Sequence, residues 1–441
     1  MNDDRVKTLQ VKRTSRLSGF YRQSPERRRA RLVEARWVLP EEEKSLAGLA
    51  GFDEACADAM VENVVGIHGL PLGVALNFVV DGKERLIPMA VEEPSIIAAA
   101  SYAARLCSES GGFTVETDPP ITTAQVELLD VPSLEEARGA LHAHMAFLLA
   151  EADALIPAMC ERGGGTREIE VRVLDATTLV VHLHIDTRDA MGANCVNSVA
   201  EGMAPRLAEL ARARAGLKIL TNLADRRKVH VRMRVSAQAL ASEGFPDGGV
   251  VRDAILAAHR FAELDPYRAV THNKGVMNGV DAVLVACGND WRAVEAGAHA
   301  WAARSGGYRP LTTWRAAKDG GLEGELLMPL ATSTAGGAAR THPGVQRALK
   351  LAGVTSALDL AGLAGAAGLA TNLAALKALS TDGIQKGHMA LHARRVAAEA
   401  GAQGELIEIV AERLSHERVY RPERAREILA AEVDRRKGAL R

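Results

Sequence analysis

The sequence predicts an α+β protein: a large, helix-rich body interrupted by a small ferredoxin-like domain and followed by a short helical lid. Three observations carry this. Residues 124–224 read in the order β-α-β-β-α-β, Ala-rich helical stretches and Gly turns flank them on both sides, and the last sixty residues fall into three helical segments punctuated by Gly401, Gly404 and Pro422. At 441 residues the chain exceeds what one ordinary core organises, so two or three domains are expected. The divisions fall at 1–118 with 225–382 for a discontinuous large domain, 119–224 for the small domain and 383–441 for the lid.

Taking the elements in order, the N-terminal stretch is charged throughout and lacks the apolar run of a secretory signal. Ser24-Pro25-Glu26 then opens a helix, with Ser as cap and Pro in the first turn. Its Arg27, Arg28, Arg29 and Arg31 form either a solvated face or a docking surface for ligand phosphates; nucleic acid is disfavoured because no aromatics interleave the charge. Glu92-Glu93-Pro94-Ser95 precedes a second helix, which places Pro94 at its first position and Glu93, extended, at its mouth. In the small domain, strands at 124–131, 168–175, 178–186 and 217–224 enclose one long helix over 133–159 and another over 196–216. Two right-handed crossovers of that kind give a four-stranded antiparallel sheet with helices on one face. Beyond it, Lys274-Gly275 stands amid polar side chains and turn formers, and Gly288-Asn289-Asp290 is a turn that opens a helix. The longest uncharged stretch, Leu360 to Leu376, is mostly Ala and Gly with Thr371 and Asn372 inside it, which suits a tightly packed buried helix better than a bilayer span. The three C-terminal helices are expected near 385–400, 404–417 and 421–437.

Hydrophobic residues make up 47% of the chain and charged residues 25%, with a formal net charge of −1, the profile of a globular enzyme with no global signature of nucleic-acid or membrane binding. Five scattered cysteines, none in a C-x-x-C pair, suggest neither a disulfide framework nor a zinc knuckle, and read as free thiols in the cytoplasm.

For chemistry, no G-x-G-x-x-G occurs, so a dinucleotide would need another cradle. Asp189-Ala190-Met191-Gly192-Ala193-Asn194 follows a strand and opens a helix, so Gly192 lets backbone approach a pyrophosphate at the helix N-terminus; many ordinary strand-to-helix turns share that pattern. Glu93 is either a capping charge or a general acid. A lysine at 274 can stabilise an oxyanion developing at a carbonyl, although Lys274 or Asp290 alone is equally a surface charge. His388 and His392, at i and i+4, share a helix face that formally could grip a metal; a third ligand is missing, which leaves a surface, core or acid-base role for His388. His182, His184 and Asp186 share a strand face and suggest a rival class, a metal-dependent hydrolase, but Thr187 stands where that motif needs its last histidine.

Glu62-Asn-Val-Val-Gly66, Glu92-Glu-Pro-Ser95, Asp189 to Asn194, Thr271-His-Asn-Lys-Gly275, Gly288-Asn-Asp290 and Gly387-His388, in that order over about residues 60 to 394, resemble the 3-hydroxy-3-methylglutaryl-CoA reductase family in its soluble bacterial class II form. The resemblance implies reversible four-electron oxidoreduction between the CoA thioester and mevalonate plus CoA, with two nicotinamide cofactors and no metal. It assigns Lys274 to the carbonyl oxygen, Asp290 to a link between that lysine and Glu93, Glu93 to the proton at the aldehyde stage, and His388 to the departing CoA thiolate. It also implies that Ser95, Arg268, Thr271 and Asn278 hold the acyl part, with Arg268 on the free carboxylate, and that Asp189 to Asn194 form the cofactor loop. A homodimer or an assembly of dimers, with sites at the interface near Glu62 to Gly66, follows from the same resemblance. Glu151 and Asp153 end a small-domain helix with no Lys or Arg before Arg162; acids repel a 2′-phosphate, which favours NAD(H) over NADP(H).

Overall fold

The structure is a computed structural model and describes residues 13–48, 52–381 and 383–438. Ten strands form two sheets: β1 (Leu72–Val80), β2 (Lys83–Ala90), β3 (Phe113–Thr117), β4 (Ile121–Leu129), β5 (Gly165–Val173), β6 (Leu179–Asp186), β7 (Arg214–Leu220), β8 (Lys228–Val235), β9 (Thr312–Ala316) and β10 (Leu322–Pro329). The larger sheet has the order β2-β1-β3-β8-β10-β9, drawing three strands from each side of the smaller one. The smaller is β5-β6-β4-β7 with every pair antiparallel, which is the ferredoxin-like order. Mixed α+β architecture is therefore present as expected.

One helix organises the large body. Ala357–Ser380 is apolar on nearly its whole circumference, and its Ala and Gly residues let it lie between the larger sheet and the helix Pro266–Ala286. A Cβ on Gly362 would meet Val115 of β3 at 2.9 Å, one on Gly365 would meet Val231 of β8 at 2.8 Å, and one on Gly368 would meet Val280 at 2.7 Å. Dispersion falls steeply with separation, so this closeness is where the helix gains its hold. By length and composition it could cross a membrane, yet 89% of its apolar window is buried inside the protein.

The small sheet has its own core, built from alternate residues of its strands (Val126, Leu128, Val181, Leu183) and the helix Ala193–Ala211 (Val196, Val199, Met203, Leu207). The single long helix expected over 133–159 is instead three pieces, Leu134–Ala143, Met145–Ala154 and Pro157–Cys160. His144 leaves helical geometry at φ −100° and ψ 9°, and Ile156 leaves it immediately before Pro157, whose ring disfavours the α conformation in its predecessor. The C-terminal helices Ile384–Glu399, Glu405–Glu417 and Pro422–Gly438 enclose a third core around Val396, Val410, Leu414 and Ile428.

At the N-terminus, Ser24 Oγ accepts from Arg27 N at 3.2 Å and the helix Pro25–Glu34 begins where the cap and proline place it. Three of its arginines have partners within the fold: Arg28 donates to the carbonyls of Phe20 and Tyr21, Arg31 to that of Ser18, and Arg27 pairs with Glu34.

Candidate active site

Lys274 lies on the helix Pro266–Ala286, although polar side chains and turn formers surround it in the sequence. The helix escapes detection in the sequence because part of its buried face is polar and finds partners elsewhere in the fold. His272 Nε2 meets Thr312 Oγ1 at 2.6 Å, Asn273 Nδ2 donates to Arg309 O at 2.9 Å, and Asn273 Oδ1 accepts from Leu311 N at 2.8 Å. Asn372 of the core helix completes the set, donating to His272 O and accepting from Thr312 Oγ1 and Trp314 Nε1. Burial pushes the His272 imidazole down to about 3, so the ring is neutral and the network carries no buried charge. His272, Asn273 and Asn372 had no role in the sequence reading, although two of them flank Lys274 directly.

With its neighbours fixed inward, Lys274 points outward and its Nζ donates to Glu93 Oε2 at 2.6 Å. The ammonium is 57% exposed and the carboxylate 34%, so the pair lies at a surface that a ligand reaches. Glu93 precedes the helix Ile96–Ser108, which starts two residues later than expected. Pro94 and Ser95 form a turn, and Ser95 caps the helix in the left-handed region at φ 78°. A serine held there is strained, and its Oγ is buried without a hydrogen-bond partner. Thr271 and Asn278 lie within one turn of Lys274, and Thr271 Oγ1 donates to Tyr267 O at 3.4 Å. Arg268, half-buried, has its guanidinium pushed below its ordinary range by burial alone, and no acidic side chain among the described residues pairs with it. A guanidinium in that state can receive an anion.

Asp290 does not join this group. It caps the helix Trp291–Ala302, accepting from Ala293 N at 3.2 Å and pairing with Arg292, and no bond to Lys274 or Glu93 is formed among the described residues. Its turn belongs instead to the loop Asp189 to Asn194. Gly192 there has φ 88°, and a Cβ on it would strike Thr187 Cγ2 at 2.3 Å, so only glycine fits. The 19-residue helix it opens carries no side-chain cap, which leaves its N-terminal N–H groups for a ligand. The Asp189 carboxylate is turned away from that mouth and accepts from Ala357 N at 2.8 Å, at the start of the core helix. His388 lies on the helix Ile384–Glu399, and its side chain falls outside the described residues. His392 packs on Tyr420 at 5.8 Å and meets Arg395.

The strand histidines gather, but not with the third residue the hydrolase reading needs. Donor atoms of Glu170, His182 and His184 lie within 4.8 Å of one another, whereas the Asp186 carboxylate is taken by Arg167 at 3.2 Å, Arg188 at 3.6 Å and the backbone N of Arg188 at 3.0 Å. Thr123 meets His184 at 2.8 Å and Gln125 meets His182 at 2.9 Å, while Arg226 pairs with Glu170, so the cluster is a hydrogen-bonded sheet face. The acids of the small domain have a cation the sequence hid: Arg206 Nε lies 3.6 Å from Glu151 Oε2, brought there by the helix packing. Asp153 has no such partner and accepts from Thr166 N at 2.6 Å.

An exposed ammonium–carboxylate pair and, elsewhere in the chain, an uncapped helix N-terminus behind a glycine turn are parts that an oxidoreductase with a nicotinamide cofactor requires. A family model described as hydroxymethylglutaryl-coenzyme A reductase matches residues 24–393. The 3-hydroxy-3-methylglutaryl-coenzyme A reductase of Archaeoglobus fulgidus is 42% identical over 419 residues, 94% of each chain. The corresponding enzyme of Streptococcus pneumoniae superposes with a TM-score of 0.81 at 38% identity, over 94% of this chain and 99% of that one. A structure of that class II enzyme bound to NADPH in open conformations superposes at 0.80, again at 38% identity, over 82% and 99%. The chain belongs to the hydroxymethylglutaryl-coenzyme A reductase family. The hydrolase reading falls with that assignment and with the position of Asp186.

Proposed function

We propose that the protein interconverts 3-hydroxy-3-methylglutaryl-CoA with mevalonate and CoA, using two nicotinamide cofactors, and that Lys274 and Glu93 are the reacting pair. The observation that carries this is the 2.6 Å bond between them. A fixed ammonium beside a carbonyl oxygen stabilises the negative charge that oxygen gains when hydride adds to carbon, and a preorganised donor does so without reorganising at the moment of reaction. In the forward direction the first hydride turns the thioester into a thiohemiacetal, the C–S bond breaks to release CoA, and the second hydride turns the aldehyde into the alcohol. Glu93, once protonated, supplies the proton to the alcohol oxygen and returns to the carboxylate that Lys274 holds. His388 gives its proton to the CoA thiolate; an imidazole near pKa 6.5 and a thiol near about 8.5 are matched for that transfer. Arg268 takes the free carboxylate of the acyl chain, Ser95 offers its unpartnered hydroxyl, and Thr271 and Asn278 complete the acyl pocket.

The bound nicotinamide supplies hydride. Its pyrophosphate fits the uncapped helix start behind Gly192, with Ala190, Met191, Ala193 and Asn194 as its backbone cradle and Asp189 anchoring the loop. Asp153, which pairs with no cation among the described residues, favours NAD(H) over NADP(H) by repelling a 2′-phosphate, whereas Arg206 offsets the charge of Glu151. Residues 1–118 with 225–382 hold the CoA thioester, 119–224 the cofactor, and 383–441 close over both. That no disulfide links the cysteines supports a cytoplasmic location.

Within one chain the two halves of the site are separate: Glu93 and Lys274 in one, Asp290 and the cofactor loop in the other. We infer that a homodimer joins them, with Asp290 of the partner subunit reaching Lys274. Supporting this, the stretch around Glu62 to Gly66 is irregular and exposes Val61 and Val65, and Leu264, Tyr267 and Val270 are exposed beside Lys274.

The test is to mix purified protein with mevalonate, CoA and either NAD or NADP, and to follow absorbance of the reduced nicotinamide with Lys274→Ala alongside. Faster reduction of NAD than of NADP, abolished in the variant, is the expected result. Silence with both cofactors, and in the reverse direction with the acyl-CoA, would overturn the assignment.

A further inference from the structure

The turn that carries Asp290 and the loop that carries the cofactor are tied together through a third loop, residues 332–335. Asn289 makes both backbone bonds to Ser333: its Oδ1 accepts from Ser333 N at 2.6 Å and its Nδ2 donates to Ser333 O at 3.1 Å. The third loop in turn converges on one carbonyl of the cofactor loop. Asp189 O accepts from Thr334 N at 3.0 Å, from Ala335 N at 3.2 Å and from Ser333 Oγ at 3.2 Å. A second tie spans the same gap. Arg227 is 1% exposed, and its guanidinium donates to Thr332 O at 2.5 Å on one side and to Ala190 O and Thr187 Oγ1, each at 3.2 Å, on the other.

We propose that Asn289 and Arg227 are positioning residues: they hold the catalytic aspartate and the nicotinamide loop in fixed register, so that the hydride donor and the group that orients Lys274 arrive at the substrate as one rigid half-site. This rests on the functional reading above. The physical case is specific to these two side chains. An amide that pairs with both the N–H and the C=O of one residue fixes position and orientation together, as a single bond cannot. A buried guanidinium with three carbonyl or hydroxyl acceptors and no acid in contact is expensive to keep; burial pushes Arg227 down to about 10 even so. Apolar side chains of similar volume would fill that space at lower cost, whereas a fork of donors adds a tie between the two loops beyond their backbone bonds at Asp189 O. Asn289 also donates to Cys287 O at 3.0 Å, which stiffens the turn on which Asp290 stands. Proximity terms in catalysis are lost with small displacements, so slack between these loops appears in turnover before it appears in stability.

The experiment compares wild type, Asn289→Ala, Asn289→Asp and Arg227→Met as full-length protein. Steady-state kinetics in both cofactor and thioester are measured together with amide hydrogen exchange of the segments around 187–192 and 332–335 without ligand. We expect kcat to fall at least 10-fold in Asn289→Ala with the KM for the CoA thioester within 2-fold of wild type, and exchange at 187–192 to quicken although that segment lies far away in sequence. Asn289→Asp, which keeps the acceptor for Ser333 N and loses the donor, should recover part of the rate. Arg227→Met should loosen the same segment even if it also lowers Tm. Unchanged exchange at 187–192 in Asn289→Ala overturns the clamp, as does a loss of Tm accompanied by wild-type kcat. An inactive wild type overturns the functional reading alone, because the exchange measurement still decides whether the loops are coupled.

Discussion

Ser95 shows how a single residue separates what a site needs from what a fold needs. Its backbone is in the left-handed region, its hydroxyl is buried, and nothing among the described residues bonds to that hydroxyl. An unpaired buried hydroxyl costs about 1–3 kcal/mol, so its persistence points to a partner that arrives with the ligand. Ser95→Ala should therefore leave stability unchanged or raise it by up to about 1 kcal/mol, read by thermal denaturation, while the KM for the CoA thioester rises about 10-fold, the worth of one hydrogen bond. An unaltered KM would show that the hydroxyl is unused. Residues of this kind are partly legible in sequence: the Glu-Glu-Pro-Ser run marks a helix entrance, and Gly192 marks a loop, because local chemistry sets both. What sequence could not give was the start of the helix at Ile96 or the left-handed backbone of Ser95, since both depend on the packing of the helix against β1.

At the scale of elements, the decisive contact is between Pro266–Ala286 and Ala357–Ser380. Gly279 faces the core helix so closely that a Cβ would lie 2.4 Å from Ala367 O and 2.6 Å from Thr371 Oγ1, whereas at Gly275 the nearest atom would be 3.9 Å away. Two glycines four residues apart on one helix are thus predicted to answer the same substitution with opposite signs. Gly279→Ala forces the helices apart at a cost of about 1–3 kcal/mol and displaces Lys274 from Glu93, so Tm and kcat both drop. Gly275→Ala meets no obstacle and gains about 0.5–1 kcal/mol from helix propensity, so Tm rises with kcat kept. Thermal denaturation and turnover of the two variants check this; equal responses would mean that the helix pair is not packed as described. The same pair explains why the sequence does not announce this helix. Periodicity finds helices by their apolar face, and here His272, Asn273 and Gly279 occupy buried positions that tertiary hydrogen bonds and backbone contact make favourable. The four-stranded sheet had no such masking: its strands alternate plainly, and their order followed from the right-handed crossover.

For the whole molecule, the separation of Asp290 from Lys274 carries the largest consequence. A single chain ties Asp290 to its own cofactor loop and Lys274 to its own Glu93, with no bond between the two sets among the described residues. The linear order of motifs made them look like one constellation, because sequence gives membership of a site without saying which copy supplies each member. If the dimer joins the halves, Lys274→Ala and Asp290→Ala are each inactive as homodimers but complement one another. In a mixed dimer, one site inherits both substitutions and the other neither. Co-expressed at equal levels, half the dimers are mixed and each has one intact site, so the preparation should show about a quarter of wild-type activity. A site contained within one chain leaves every site in the mixture with one defect, and the activity stays at the level of the single variants. The measurement needs only mevalonate oxidation on the co-purified protein, with two different affinity tags to isolate the mixed species, which should then show half the wild-type rate. That result would place hydride donor and acyl group on different subunits, so that dimer formation is a requirement of the chemistry as well as of burial of Val65 and Tyr267.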